Sequence, residues 1–110
     1  MNLSKFKSML APGVKIDTIH YTNVAGVIRD DNGNVVRNER GLPTYNPISL
    51  GVSEVARVQS NAFTVWRNYK GEPTESWCYF PKASQCTFSE DGSMTIHEEY
   101  GPVLTYKIIQ

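Results

Sequence analysis

His20, His97, Cys78 and Cys86 are the side chains of this 110-residue sequence best suited to chemistry near neutral pH. Catalysis by any of them needs company: a base beside a nucleophile, or several titratable groups converging in a cleft. His20 falls at the end of a strand-like run and His97 within an acidic one, and neither has a sequence neighbour that would form a nucleophile–base pair. Both are accounted for as surface or half-buried strand histidines. Cys78 alternates with Trp77 and Tyr79 and so shares a face with Phe80, which predicts a buried, inert thiol packing as a small hydrophobe. A zinc site would need the four residues to meet, yet no CxxC or HxxxH spacing is present. GVSEVA and GEPTES match no glycine-rich phosphate loop. The chain therefore reads as a binding protein rather than an enzyme, with no metal and no cofactor.

Binding chemistry concentrates in the aromatics. Trp66, Tyr69, Trp77 and Tyr79 lie within fourteen residues, flanked by Arg67, Lys70 and Lys82. Strand alternation puts Trp77 and Tyr79 opposite the Cys78–Phe80 face, and Trp66 opposite Phe63 and Val65. The rings can then form one strip on an outer face, and these seven residues are the candidate binding site. Such a strip is a hot-spot surface for a protein partner, a stacking platform for bases or a nucleotide, or a second core layer beneath a helix or hairpin from elsewhere in the chain.

The charges narrow the partner. Formal net charge is zero, with 40% apolar and 20% charged residues. That is globular composition, not disorder, and it lacks the basic excess that non-specific nucleic-acid binding requires. Residues 1–50 carry six Lys and Arg against four Asp and Glu. Glu90, Asp91, Glu98 and Glu99 form an acidic cluster near the end, read as a solvated face, as a mimic of nucleic-acid phosphate or as a steering surface for a basic partner. MNLSKFKSML has no apolar run like that of a signal peptide, and no stretch approaches the roughly 18 apolar residues of a membrane span. The expected compartment is the cytoplasm, with both thiols reduced, although a disulfide across 78–86 stays geometrically open.

Positioning these residues requires strands. Leu3, Phe6 and Leu10 mark a short amphipathic helix over 2–10, stopped by Ala11-Pro12-Gly13. The period then changes to two: a strand over 14–22, whose parity shift after Thr18 points to a bulge. Residues 23–51 read as a long insertion. It contains a hairpin turning at Asp31-Asn32-Gly33 between Val27-Ile28 and Val35-Val36, followed by loop. Further strands are expected over 51–59, 62–67, 76–80, 85–90, 93–99 and 103–109. Between them lie a tight turn at Ser60-Asn61, a loop over 68–75, a 3₁₀ turn over 81–84, a turn at Asp91-Gly92 and another at Tyr100-Gly101-Pro102. No internal repeat is evident. Phe63, Val65, Cys78 and Phe80 should be core.

This order resembles the SH3-like small β-barrel, in which a long loop separates the first two strands. CYFPKASQCTF looks like that barrel's passage from a broken strand through a 3₁₀ turn to its last strand, with Phe80 buried before Pro81. The resemblance implies a mainly β single domain over 1–110. Its barrel would occupy 14–89, with the helix 2–10 and a C-terminal hairpin 93–109 as additions. It does not extend to polyproline recognition. Ser84 stands where SH3 domains place a tyrosine, and Arg29, Arg37 and Arg40 mix with Asp30 and Asp31 in the long loop. After the opening helix, PGVKI, GVSEVARVQSNAF, SWCYFPKA and LTYKI look like small uncharacterised bacteriophage-encoded proteins, which implies no activity and makes a host component the expected partner.

The leading expectation is a non-enzymatic protein acting on a macromolecular partner, a phage-encoded modulator or inhibitor of a host defence system. The alternatives are a nucleotide or small-ligand sequestering protein, marked by a pocket between loop 23–51 and strand 76–80, and a weak nucleic-acid-binding barrel, marked by a basic stripe through Arg57, Arg67, Lys70 and Lys82.

Overall fold

A computed structural model describes residues 1–98 and 101–110. Glu99 of the acidic cluster, the end of the expected 93–99 strand, and Tyr100 of the expected turn lie outside the described residues. One helix, α1 (Leu3–Ser8), precedes seven strands: β1 (Lys15–Tyr21), β2 (Pro47–Val58), β3 (Ala62–Tyr69), β4 (Glu72–Tyr79), β5 (Cys86–Phe88), β6 (Met94–Glu98) and β7 (Gly101–Ile109). They form one antiparallel sheet in the order β4-β3-β2-β1-β7-β6-β5. The mainly β expectation holds, and the sheet does not close into a barrel.

β2 lets one sheet serve two halves. Its first part pairs with β1 and its last part with β3. Two register shifts interrupt it: opposite Thr18/Ile19, where Leu50 is skipped beside Gly51 at φ +78°, and between Val55 and Arg57. Bulges bend a strand and increase its twist. The β3–β4 hairpin consequently folds back over β7, and Phe63 meets Tyr106 edge-on at 5.4 Å between ring centroids. The bulge expected near Thr18 exists, but its extra residue belongs to β2.

The core between the two halves contains Ile16, Val55, Phe63, Val65, Cys78, Met94, Ile96 and Tyr106. α1 plugs one side of it. Asn2 accepts from Lys5 N–H at 2.8 Å to cap the helix, and Phe6, wholly buried, lies 6.2 Å from Phe88. One detail differs from expectation. Phe80 is half-buried rather than core: it packs on Phe63 at 5.6 Å while Lys7 Nζ sits 4.7 Å above its ring. The strand beside β1 is β7, and the 86–88 strand that follows the 3₁₀ turn (Ala83–Gln85) lies at the far edge of the sheet. β5 has three residues, whereas β7 has nine and turns Leu104, Tyr106 and Ile108 toward the core, so β7 is the strand with enough apolar surface to hold that place.

The insertion after β1 is more ordered than a loop with one hairpin. Ile28 N–H donates to Thr44 O (2.9 Å), Val36 N–H to Ile28 O (2.9 Å) and Thr44 N–H to Val36 O (3.0 Å), a closed triangle of residues spaced by eight. A tight turn leaves each of two corners. In one, Asp30 Oδ1 accepts from Asn32 and Asn34 N–H, and Arg29 Nη1 donates to Gly33 O at 2.8 Å. In the other, Asn38 Oδ1 accepts from Arg40 and Leu42 N–H, and Arg37 Nη1 donates to Gly41 O at 2.9 Å. At the third corner, where the chain enters and leaves, the Asn46 side-chain amide donates toward the carbonyls of Ala25, Gly26 and Val27. The pattern Arg-Asx-x-x-Gly at 29–33 and 37–41 is a short internal repeat. The dissimilar residues between its fixed positions hide it from a reading by composition.

Candidate aromatic binding face

The β3–β4 hairpin is longer than expected because its turn is tighter. Lys70 (φ +51°) and Gly71 (φ +83°) make a two-residue connection with both residues left-handed, the geometry that matches strand twist. Residues 68–75 are thereby strand, not loop, apart from that turn. The register pairs Trp66 with Glu75, Thr64 with Trp77 and Ala62 with Tyr79. Trp66 and Trp77 are diagonal neighbours on one face, and Trp77 stacks on Tyr79 with centroids 6.1 Å apart and planes 19° from parallel.

Among the described residues none covers that face. Trp66 is 47%, Trp77 45% and Tyr79 64% exposed. α1 and β7 pack on the opposite, inner face, so the strip is not a second core layer. Beneath the rings runs a charged brace: Arg57 on β2 donates through Nε to Glu75 at 2.8 Å and through Nη2 at 3.1 Å, and Thr64 Oγ1 donates to the same carboxylate at 2.9 Å. The Thr64 hydroxyl and the Arg57 guanidinium hold the Glu75 carboxyl below its usual range. Arg57 also lies 5.4 Å from the Trp77 ring centroid, a cation–π distance.

The other candidate residues are dispersed. Arg67 shares the inner-face parity of Phe63 and Val65 and reaches the β2 bulge, its Nη1 3.2 Å from Ser53 Oγ and 3.4 Å from Leu50 O. Tyr69 shares that parity and stands exposed at the hairpin end, with Lys70 Nζ 5.5 Å above its ring. Lys82 is exposed before the 3₁₀ turn, where its N–H donates to Gln85 Oε1. Arg57 and Arg67 thus fall on opposite faces, and the four cations named for a basic stripe do not form one. Arg57, Thr64 and Glu75 belong to the face although the aromatic pattern does not mark them. Their signal is strand parity with Trp66 and Trp77, usable only once the pairing is known.

His97 Nε2 lies 2.8 Å from Thr87 Oγ1. Cys78 is buried and Cys86 half-buried, both are free thiols, and burial raises both above the ordinary thiol value. Among the described residues no cluster of three or more His, Cys, Asp or Glu could hold a metal ion, and no helix is long and apolar enough to cross a membrane. A groove of about 320 Å³ separates β4 from β6 and β7. A second cavity of about 310 Å³ lies between the hydrogen-bonded triangle, Tyr21 and Pro102. The two share no lining residue among those described. Compared with models of protein families, with curated proteins and with solved structures, the chain matches none.

Proposed function

We propose that this chain is a non-enzymatic binding module that engages a protein partner through the outer face of β3 and β4. The observation that carries the reading is the exposure of Trp66, Trp77 and Tyr79 side by side on a hydrogen-bonded hairpin, while the helix and the C-terminal strands pack elsewhere. Tryptophan, tyrosine and arginine dominate interface energetics: the two aromatics bury large areas at low entropic cost, and arginine adds a planar, charged hydrogen-bonding group. Here the Arg57–Glu75 brace and the ring stack order the side chains before any partner arrives, which lowers the ordering cost of association. The resemblance to small phage-encoded proteins makes a host protein, such as a component of a defence system, the partner class, and modulation or inhibition the role.

The test pairs melting temperature with quantitative capture from host lysate. Trp66→Ala, Trp77→Ala and Tyr79→Ala should stay folded and each weaken capture by about 2 kcal/mol, the hot-spot range. Tyr69→Ala, on the other face, should leave capture unchanged. Undiminished capture by well-folded Trp66→Ala, Trp77→Ala and Tyr79→Ala variants would falsify the reading.

A further inference from the structure

The two edges of the sheet are unlike. β5 exposes only three residues, a short edge of the kind natural sheets use to avoid unwanted pairing. β4 is eight residues long and runs beside β3 without a bulge. The direction of its backbone groups follows from both ends. The two-residue turn makes Tyr69–Glu72 the hydrogen-bonded closing pair, and beyond the other end Phe80 N–H donates to Asn61 O at 2.9 Å. Hydrogen-bonded and non-bonded pairs alternate between those points. The backbone groups of Glu72, Thr74, Ser76 and Cys78 therefore turn toward β3, and those of Pro73, Glu75, Trp77 and Tyr79 face away. Pro73, with no N–H to offer, guards the hairpin end. Among the described residues nothing pairs with the outward groups of Glu75, Trp77 and Tyr79, which leaves three donors and three acceptors along the unguarded remainder.

That stretch borders the groove between β4 and the β6–β7 pair. The groove's far wall includes Ile96, Val103, Leu104 and Tyr106, and among the described residues that line it Glu98 is the one formal charge. Resting on the protein-binding reading above, we propose that the free edge of β4 accepts an extended segment of the partner protein as an added strand. The open backbone groups require an extended chain. The groove requires apolar side chains at alternate positions, pointing inward. Glu98 selects a lysine or arginine opposite it. The outward side chains of the added strand would lie beside Trp77 and Tyr79 and continue the aromatic face.

The full chain is panned against two displayed libraries, one of linear random peptides and one of a folded helical scaffold with a randomised face. Linear clones should emerge with alternating apolar residues and a basic one. The strongest clone, synthesised, should slow amide exchange at Glu75, Trp77 and Tyr79 about tenfold or more. N-methylation of its edge-facing nitrogens should abolish binding, and Glu98→Gln should weaken it about two- to fivefold, the range of an exposed ion pair. A clone that binds equally when N-methylated, or leaves those amides exchanging, overturns strand addition. An unchanged affinity in Glu98→Gln overturns the basic-residue requirement. Scaffold binders alone, lost on Trp66→Ala, overturn strand addition while the aromatic face stands, and failure of both libraries sinks both readings. A dimer with those amides already protected assigns the edge to a second copy and overturns the partner segment.

Discussion

Arg57 and Glu75 join hands across the strand that separates them. One lies on β2 and the other on β4, and the carboxylate between them also receives the Thr64 hydroxyl from β3. Three strands are thus tied on the outer face at the point where Trp77 stands over the guanidinium.

The tie should be visible in the pH dependence of stability. Glu75 has its folded value depressed below 4.5 by Thr64 and Arg57. A depressed carboxylate contributes stability above its unfolded value and loses it as pH falls through the folded value. Glu75→Gln should therefore melt lower than the parent at pH 7, and the gap should close as pH falls below about 4. Melting curves of the two proteins from pH 7 to pH 3 check this, and a gap independent of pH would show that the ionised carboxylate is not what stabilises.

Core depth separates two phenylalanines that the sequence treats alike. Phe63 is 1% exposed and touches both Phe80 and Tyr106, whereas Phe80 is half-buried. Phe63→Ala should cost about 3–5 kcal/mol in urea denaturation. Phe80→Ala should cost about half that or less, because part of its ring already meets water.

The thiols should react in order. Cys86 is the more accessible and Cys78 is buried within the β3–β4 half of the core. Timed alkylation followed by mass mapping should label Cys86 first. Cys78 should be modified only on the timescale of unfolding, and denaturant should abolish the difference. Equal rates in the native protein would contradict the packing of Cys78.

The triangle of Ile28, Val36 and Thr44 should behave as one cooperative unit. Its three bonds close on each other, so opening one corner releases the rest. Asn38→Ala removes the carboxamide oxygen that accepts from Arg40 and Leu42. It should accelerate amide exchange at all three triangle positions together, with a loss of about 1 kcal/mol confined to the insertion. Gly41→Ala should act similarly, since φ there is +78° and costs an alanine about that much, although no atom obstructs the added methyl. Acceleration at Val36 alone would show that the triangle is not cooperative.

Much of this arrangement is written locally. The helix declares itself through Leu3, Phe6 and Leu10, and β1, β6 and β7 through alternation. The first half of β2 does not, because Pro47, Ser49 and Gly51 carry turn chemistry and become strand only by pairing with β1. Residues 72–75 were hidden for the same reason: Pro73 reads as a breaker, yet on a sheet edge its missing N–H costs nothing. The triangle joins three β-branched residues spaced by eight, Ile28, Val36 and Thr44, a spacing that matches neither strand nor helix periodicity and so goes unmarked in a reading by period.

The sequence by itself determined which side chains face together within each strand. Alternation is a property of the extended backbone, so Phe63, Val65 and Cys78 turn one way and Trp66, Trp77 and Tyr79 the other, whatever the rest of the chain does. Only the tertiary structure decided that the second set stays uncovered, that Arg57 braces it while Arg67 lies beyond reach, and that β7 rather than β5 takes the place beside β1. Those outcomes rest on pairing between segments distant along the chain. They are settled by which pairing buries the most apolar surface and satisfies the most backbone groups at once, a comparison that no local stretch of residues contains.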